Sequence, residues 1–275
     1  MESSFVLFNE NFDYIIKTVK NCGDKARDLQ TMVHRSYKKD GTVLTEADLY
    51  VSDRVEKVVK KYFPNSNFIT EESLGIFSEE APYTFILDPI DGTDAYSQGL
   101  PSWAVSLGVL DQNRIPVAGV VYAPRFGVGV DELLLVRKMG MKVTLNGEAL
   151  HKTDFDEDVK MIAMEASSMK VLDFSSYTGN FRIFGSAVLH MVSPVIFMHF
   201  EASVHNSCYV WDVAGPHSIL KGLNLDVEYY DGSPFVYDDD LLISRNKYKA
   251  PLFAGSKKGR NQLRQMLSPF SKKLE

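Results

Sequence analysis

Ile86-Leu-Asp-Pro-Ile-Asp-Gly-Thr93 sets two carboxylates, Asp88 and Asp91, at the end of an apolar run and follows them with a glycine and a hydroxyl. The run reads as a strand ending in a sharp turn, because Pro89 restricts the backbone between the two acids. A hard cation such as Mg²⁺ takes oxygen ligands at about 2.0–2.1 Å in an octahedron, so acids this close in sequence need a stiff, turning chain. Pro89 supplies the stiffness and lets the carbonyl of Ile90 serve as a further oxygen ligand. Gly92 offers no side chain to obstruct a ligand. The Thr93 hydroxyl and nearby backbone N–H groups can hold a phosphate oxygen much as helix N-termini do. Asp, Pro and Gly also favour ordinary turns, so the octapeptide alone leaves a turn as the competing reading.

Upstream of this stretch, Phe5, Phe8, Phe12, Ile15, Ile16 and Val19 recur at helical spacing, which predicts an amphipathic helix over 5–29. Asp40-Gly41 interrupts the pattern. A second helix is expected from Thr45, with Leu49, Val51, Val55, Val58, Val59 and Phe63 on its apolar face and Pro64 ending it. Strands are predicted at 67–70, 83–87, 104–110 and 117–122, and Asn146-Gly147 marks a hairpin. From about Asp156 the pattern alternates: strands at 159–164, 181–184, 202–205, 241–244 and 252–254, with helices at 186–198, 213–221 and 262–267. The first half is thus helices followed by a mostly antiparallel sheet, and the second is sheet covered by helices. Segments 1–155 and 156–275 are expected to pack as one unit.

Two other segments bear on the Asp88 stretch. Phe68-Ile-Thr-Glu-Glu-Ser73 is a strand ending in paired carboxylates, and Val210-Trp-Asp-Val-Ala-Gly215 places Asp212 at the entry to a small-residue helix. Taken singly, Glu71-Glu72 reads as a solvated loop and Asp212 as a helix cap. Together, Glu-Glu-Ser at 71–73, Asp-Pro-Ile-Asp-Gly-Thr at 88–93 and Trp-Asp-Val-Ala-Gly at 211–215 resemble, in order, the three signatures of the inositol monophosphatase family. Asp40-Gly-Thr-Val-Leu-Thr-Glu-Ala-Asp48 and Phe184-Gly-Ser-Ala187 extend the resemblance to roughly residues 5–260.

The resemblance implies a layered αβαβα sandwich of the α+β class and Mg²⁺-dependent hydrolysis of a phosphate monoester, with Mn²⁺ as a substitute and lithium as an inhibitor. One metal would be held by Glu71, Asp88 and the Ile90 carbonyl, and a second by Asp88, Asp91 and Asp212. A weaker site would draw on Glu71 and Glu72. Glu71 and Thr93 would activate the attacking water, with Asp48 bonded to Thr93; Thr45-Glu-Ala-Asp48 also fits a capping box. Asp91, Gly92, Thr93 and the Gly185, Ser186, Ala187 segment would meet the substrate, and the protein would be a homodimer. Such a cage answers a physical need, since a phosphate monoester carrying about −1.5 to −2 charge repels an incoming nucleophile.

Family members act on inositol monophosphates, adenosine 3′,5′-bisphosphate, fructose 1,6-bisphosphate or histidinol phosphate. Ile90 and the following Asp94-Ala-Tyr-Ser point to the inositol phosphate branch, because nucleotidase members commonly carry Leu and a Lys-Glu pair there. Inositol-specific members carry a Glu seven residues before the Asp of the third signature, to receive a substrate hydroxyl. This chain has His205 there, which predicts a substrate contact and broader specificity. A second anionic group on the substrate, or no contact at all, are the alternatives.

The rest of the composition narrows the class. In 275 residues, 45% are hydrophobic and 24% charged, enough for a sizeable core and unlike a disordered chain. A net charge of −6 argues against a protein that coats nucleic acid. No run approaches the roughly 20 apolar residues that span a bilayer, and Met-Glu-Ser-Ser-Phe does not begin like a secretory signal. A cytoplasmic enzyme acting on a small phosphorylated metabolite is expected. Cys22 and Cys208 form no thiolate motif, and His34, His151, His190, His199 and His217 show no metal-ligand spacing. Lys39, Lys257, Lys258 and Arg260 read chiefly as solvated cations, with a place beside the metal site as the alternative for Lys39 and anion capture for the other three.

Overall fold

The computed structural model describes residues 2–270 except 34, 38–40, 42, 74, 128–131, 152–157, 207 and 249. His34, Lys39 and the expected 155/156 boundary lie outside the described residues. The chain opens with α1 (Glu2–Leu29) and α2 (Glu46–Tyr62). On α1, Phe8, Phe12, Ile15, Val19, Cys22 and Ala26 are buried, alternating steps of three and four that keep one stripe inward. On α2, Ala47, Val51, Val55 and Val59 do the same.

Seven strands form the first sheet among the described residues. They are β1 (Asn67–Thr70), β2 (Tyr83–Asp91), β3 (Ala104–Asp111), β4 (Pro116–Ala123), β5 (Leu133–Arg137), β6 (Thr144–Leu145) and β7 (Glu148–Ala149), neighbours in that order. β1 and β2 run parallel, and every later pair is antiparallel. Asn146 and Gly147 both take positive φ in the two-residue turn joining β6 to β7, the conformation that Asn-Gly accommodates at least cost. Directly after β2 comes one helical turn, α3 (Thr93–Ser97).

The second sheet joins β8 (Met161–Met164), β9 (Asn180–Arg182), β10 (Phe200–His205), β11 (Asp226–Tyr229) and β12 (Leu252–Gly255) in the order β9-β8-β10-β12-β11. Its helices are α4 (Ala187–Ile196), α5 (Val210–Lys221) and α6 (Lys257–Met266). One expectation is corrected here. The 241–244 segment is not a strand, because Asp238 accepts the N–H of Leu241 and caps a helical turn, Asp239–Leu242. Arg260, weighed above for anion capture, is committed to Glu228 at 2.9 Å.

The layers follow from which side of each strand is apolar. On β2, Phe85 and Leu87 join the core under α1 and α2, while Ile86 faces the opposite core with Val210, Val213 and Ala214 of α5. Both faces are covered, so the strand reads as a continuous hydrophobic run. Leu252 and Ala254 of β12 share that second core. Beyond them Phe253, Ile162, Met164 and Val204 pack with Leu263 of α6. The order is therefore helix pair, sheet, helix pair, sheet, helix. α5 lies unusually close to the first sheet, since a Cβ on Gly108 would collide with the Ala214 backbone and one on Gly215 with the Ser106 hydroxyl. This contact fixes the end of α5 that carries Asp212.

Candidate active site

At the C-terminal end of β2 the pairing with β3 slips: Asp88 stands opposite Ser106, but Asp91 stands opposite Ala104. Two residues on β2, Pro89 and Ile90, stand against one on β3, Val105, which bends the strand and turns both acids toward α4 and α5. Gly92 then takes φ +85°, and a Cβ there would press on the carbonyls of Gly185 and Ser102 at 3.0 and 3.1 Å. Only glycine meets both demands.

Asp91 is held from α4. Ala187 N and Val188 N donate to its carboxylate at 3.2 and 3.0 Å, and the Ser186 hydroxyl donates in a short bond. Ser186 also caps α4 by accepting from Leu189 N. Of the Gly185, Ser186, Ala187 segment, expected to meet substrate, Ser186 and Ala187 thus also hold Asp91. Asp212 sits in the first turn of α5, where its Oδ2 accepts the N–H of Tyr209 at 2.6 Å. The capping role and the proximity to the other acids coexist.

One carboxylate oxygen from each of Asp88, Asp91 and Asp212 lies within 4.8 Å of the others. Asp88 and Asp91 are buried, and Asp88 Oδ1 has no hydrogen-bond partner. Burial first, then repulsion from Glu71, Asp91, Asp212 and Asp48, pushes the Asp88 carboxyl well above its ordinary range. Asp212 is raised by burial and by Asp91. Asp91 is raised by burial despite its three donors. Carboxylates so placed resist ionising together unless a cation sits among them. The donor set is all oxygen and fits a hard divalent ion.

These residues share a cavity of about 510 Å³ with Glu71, Ile90, Gly92 and Thr93, while Arg35, Tyr37, Tyr209 and Trp211 also line it. Thr93 donates to the Ile90 carbonyl at 2.8 Å, leaving that oxygen one further lone pair. Thr93 Oγ1 also lies 3.4 Å from Asp48 Oδ1. Asp48 completes the capping box of α2 by accepting from Thr45 N and Thr45 Oγ1 at 2.8 and 2.6 Å. Burial, reinforced by the charges of Glu72 and Glu71 and opposed by the Thr45 bonds, pushes its carboxyl up to about 7.

His205 does not reach the cavity. It is fully buried, Nε2 is 2.8 Å from Ser203 Oγ, and Nδ1 is 3.2 Å from Glu165 Oε1. With both nitrogens occupied, the expected substrate contact gives way to an internal one. Glu165 was not foreseen, and nothing local marks it, since it joins His205 across 40 positions of sequence. Tyr209, stacked on Trp211 with ring centroids 4.5 Å apart, was likewise missed, although its place beside the Trp-Asp signature was a signal.

The profile of the inositol monophosphatase family matches residues 12–260. A fructose-1,6-bisphosphatase/inositol-1-monophosphatase of Aquifex aeolicus is 30% identical over 227 residues, covering 76% of this chain and 80% of its own. An IMPase/NADP phosphatase complexed with Mg²⁺ and phosphate superposes with a TM-score of 0.75 at 18% identity, over 92% of this chain and 93% of its own. A staphylococcal inositol monophosphatase in a LiCl-soaked inhibitory complex gives 0.75 at 18% identity, over 92% of both chains. These two likenesses establish the layered fold, and the sequence match across most of the chain establishes descent. The chain belongs to the inositol monophosphatase family, a family of phosphatases.

Proposed function

We propose that this chain hydrolyses a small phosphate monoester of the inositol monophosphate type, with Mg²⁺ or in its place Mn²⁺ held by Glu71, Asp88, the Ile90 carbonyl, Asp91 and Asp212. The observation that carries this reading is the buried, partnerless Oδ1 of Asp88 among two further acids. An orphaned buried oxygen is costly, and a cation would satisfy it. When bound, the ion neutralises charge on the phosphate and on the departing oxygen.

The chain's own residues do the rest. Gly92 keeps the wall beside the phosphate free of side chain, and Glu71 and Thr93, both lining the cavity, orient the attacking water. Thr93 is anchored on the Ile90 carbonyl, and Asp48, titrating near 7, can take the proton that Thr93 passes on. No covalent intermediate is required. A second reading, a sugar bisphosphate such as fructose 1,6-bisphosphate, is favoured by Arg35. Its guanidinium lines the cavity and stands 3.9 Å from Asp94, a contact loose enough to exchange for a second substrate phosphate. Adenosine 3′,5′-bisphosphate would use the same cation.

Lithium inhibition, a homodimer and a cytoplasmic location belong to the same reading. Among the described residues, no helix is long and apolar enough to cross a membrane. The test is a phosphate-release screen over inositol 1-phosphate, fructose 1,6-bisphosphate and adenosine 3′,5′-bisphosphate, before and after chelation and with rising LiCl. Inositol 1-phosphate is expected to lead, with activity lost on chelation and restored by Mg²⁺. Full turnover in chelated buffer would refute the mechanism.

A further inference from the structure

Glu165 follows β8 directly, yet its carboxylate is tied to a different part of the chain. Oε1 accepts from His205 Nδ1 at 3.2 Å and from Cys208 Sγ at 2.9 Å. Oε2 accepts from Asn206 N at 3.1 Å and Ser167 Oγ at 3.4 Å. Three of the four donors belong to the stretch that leads from β10 into α5. Four residues beyond Cys208 stands Asp212, whose carboxylate holds Tyr209 N. A continuous set of bonds thus runs from Glu165 through this connection to the first turn of α5.

The chemistry of the pair settles which atoms carry protons. An ionised carboxylate only accepts, so His205 Nδ1 bears the hydrogen and its Nε2 can accept from Ser203 Oγ. Burial alone would push the Glu165 carboxyl up, but the bonds from His205, Cys208 and Asn206 outweigh it and hold the group ionised. Its side chain is 16% exposed, against 0% for His205. The resulting fixed negative charge bears on Asp91 and Asp212, where it adds to the repulsion that a cation would relieve.

We propose that Glu165 is a positioning residue for the cation site: it sets where α5 presents Asp212 to Asp88 and Asp91, and it places a permanent negative charge behind them. This inference rests on the cation reading above. Groups that orient metal ligands without touching the metal typically alter affinity by about 10–100-fold. Glu165→Gln keeps the shape and an acceptor for Asn206 N but removes the charge and the match to His205 Nδ1 and Cys208.

The test is calorimetric titration of Mg²⁺ into wild type, Glu165→Gln and Cys208→Ala, with circular dichroism to establish folding and turnover followed against Mg²⁺ concentration. The expected result is Mg²⁺ affinity about tenfold or more weaker in Glu165→Gln. Its turnover should recover at saturating Mg²⁺ with an unchanged KM for substrate, whereas a general structural lesion would depress turnover at every concentration. Cys208→Ala removes one of the four donors and should weaken Mg²⁺ binding by a smaller factor. A folded Glu165→Gln with wild-type affinity overturns this inference alone. If that variant fails to fold, wild-type affinity in Cys208→Ala does the same. Wild type that takes up no Mg²⁺ overturns the cation reading and this inference with it.

Discussion

The two sides of the acidic cage are built by different means. Asp88 and Asp91 stand three positions apart on one strand, in a bulge that Pro89 and Gly92 force on the backbone, so their relation is nearly covalent. Asp212 reaches the same place from the far half of the chain. It depends on the glycine contacts that seat α5 on the first sheet and on the bonds that tie the β10–α5 connection to Glu165. The strand side should therefore tolerate distant substitutions, while the helix side should fail through residues that never meet the ligand.

The sharpest way to break the comparison is Asp88→Asn, which strikes the acid common to both proposed cation positions. Turnover is expected to fall by about 10³-fold or more, the scale of losing a central electrostatic element. The metal-free protein should gain stability, because a charge disfavoured by burial and by four neighbouring acids is removed. Thermal melts with and without Mg²⁺ check this: a raised apo midpoint and no Mg²⁺-induced shift are expected. A lowered apo midpoint would contradict the electrostatic account.

The helix side is probed next by His205→Glu, which sets a second buried carboxylate against Glu165. An uncompensated buried charge costs roughly 3–5 kcal/mol, so a large drop in midpoint is expected with no change in substrate ranking. A shift of kcat/KM toward inositol phosphates would instead restore His205 to the substrate site. Gly108→Ala should destabilise by about 1–3 kcal/mol through its collision with the Ala214 backbone. Mg²⁺ affinity should weaken with it, as calorimetry would reveal; unchanged affinity would mean that Asp212 is placed without this contact.

Asp48→Asn, at the start of α2 beside Thr93, should cut the rate by about 10²-fold, within the range for a proton-transfer group, while Mg²⁺ binding measured by calorimetry stays near wild type. The smallest effect is on pH. Asp48 has a folded pKa of about 7, above its ordinary 3.8, so the folded state binds the extra proton between those values. Its contribution is fully present below about pH 4 and is lost as pH rises through 7. Denaturant melts of the metal-free protein should show stability falling across that window. A rise there would oppose the raised pKa.

The order of elements and the candidate acids could be read from local pattern, because strand, turn and signature each lie within a few consecutive residues. The exceptions are instructive. The 241–244 segment looked like a strand by composition, but the side chain of Asp238 captured Leu241 N and made a helical turn. The bonds from Ser186 and Ala187 to Asp91 had no local signal either, since 95 and 96 positions of sequence separate the partners.

By itself the sequence determined that Asp88, Asp91 and Gly92 form one rigid turn, because Pro89 and the need for positive φ act on neighbouring bonds and require nothing distant. It also determined which acids are candidates for the cage. Only the tertiary structure decided that His205 faces inward to Glu165, how near Asp48 comes to Thr93, and that Asp212 meets two acids more than a hundred residues away. The physical reason is that these contacts follow from how close α5 can approach the sheet and which donors surround a carboxylate, and both depend on packing between segments far apart in the chain.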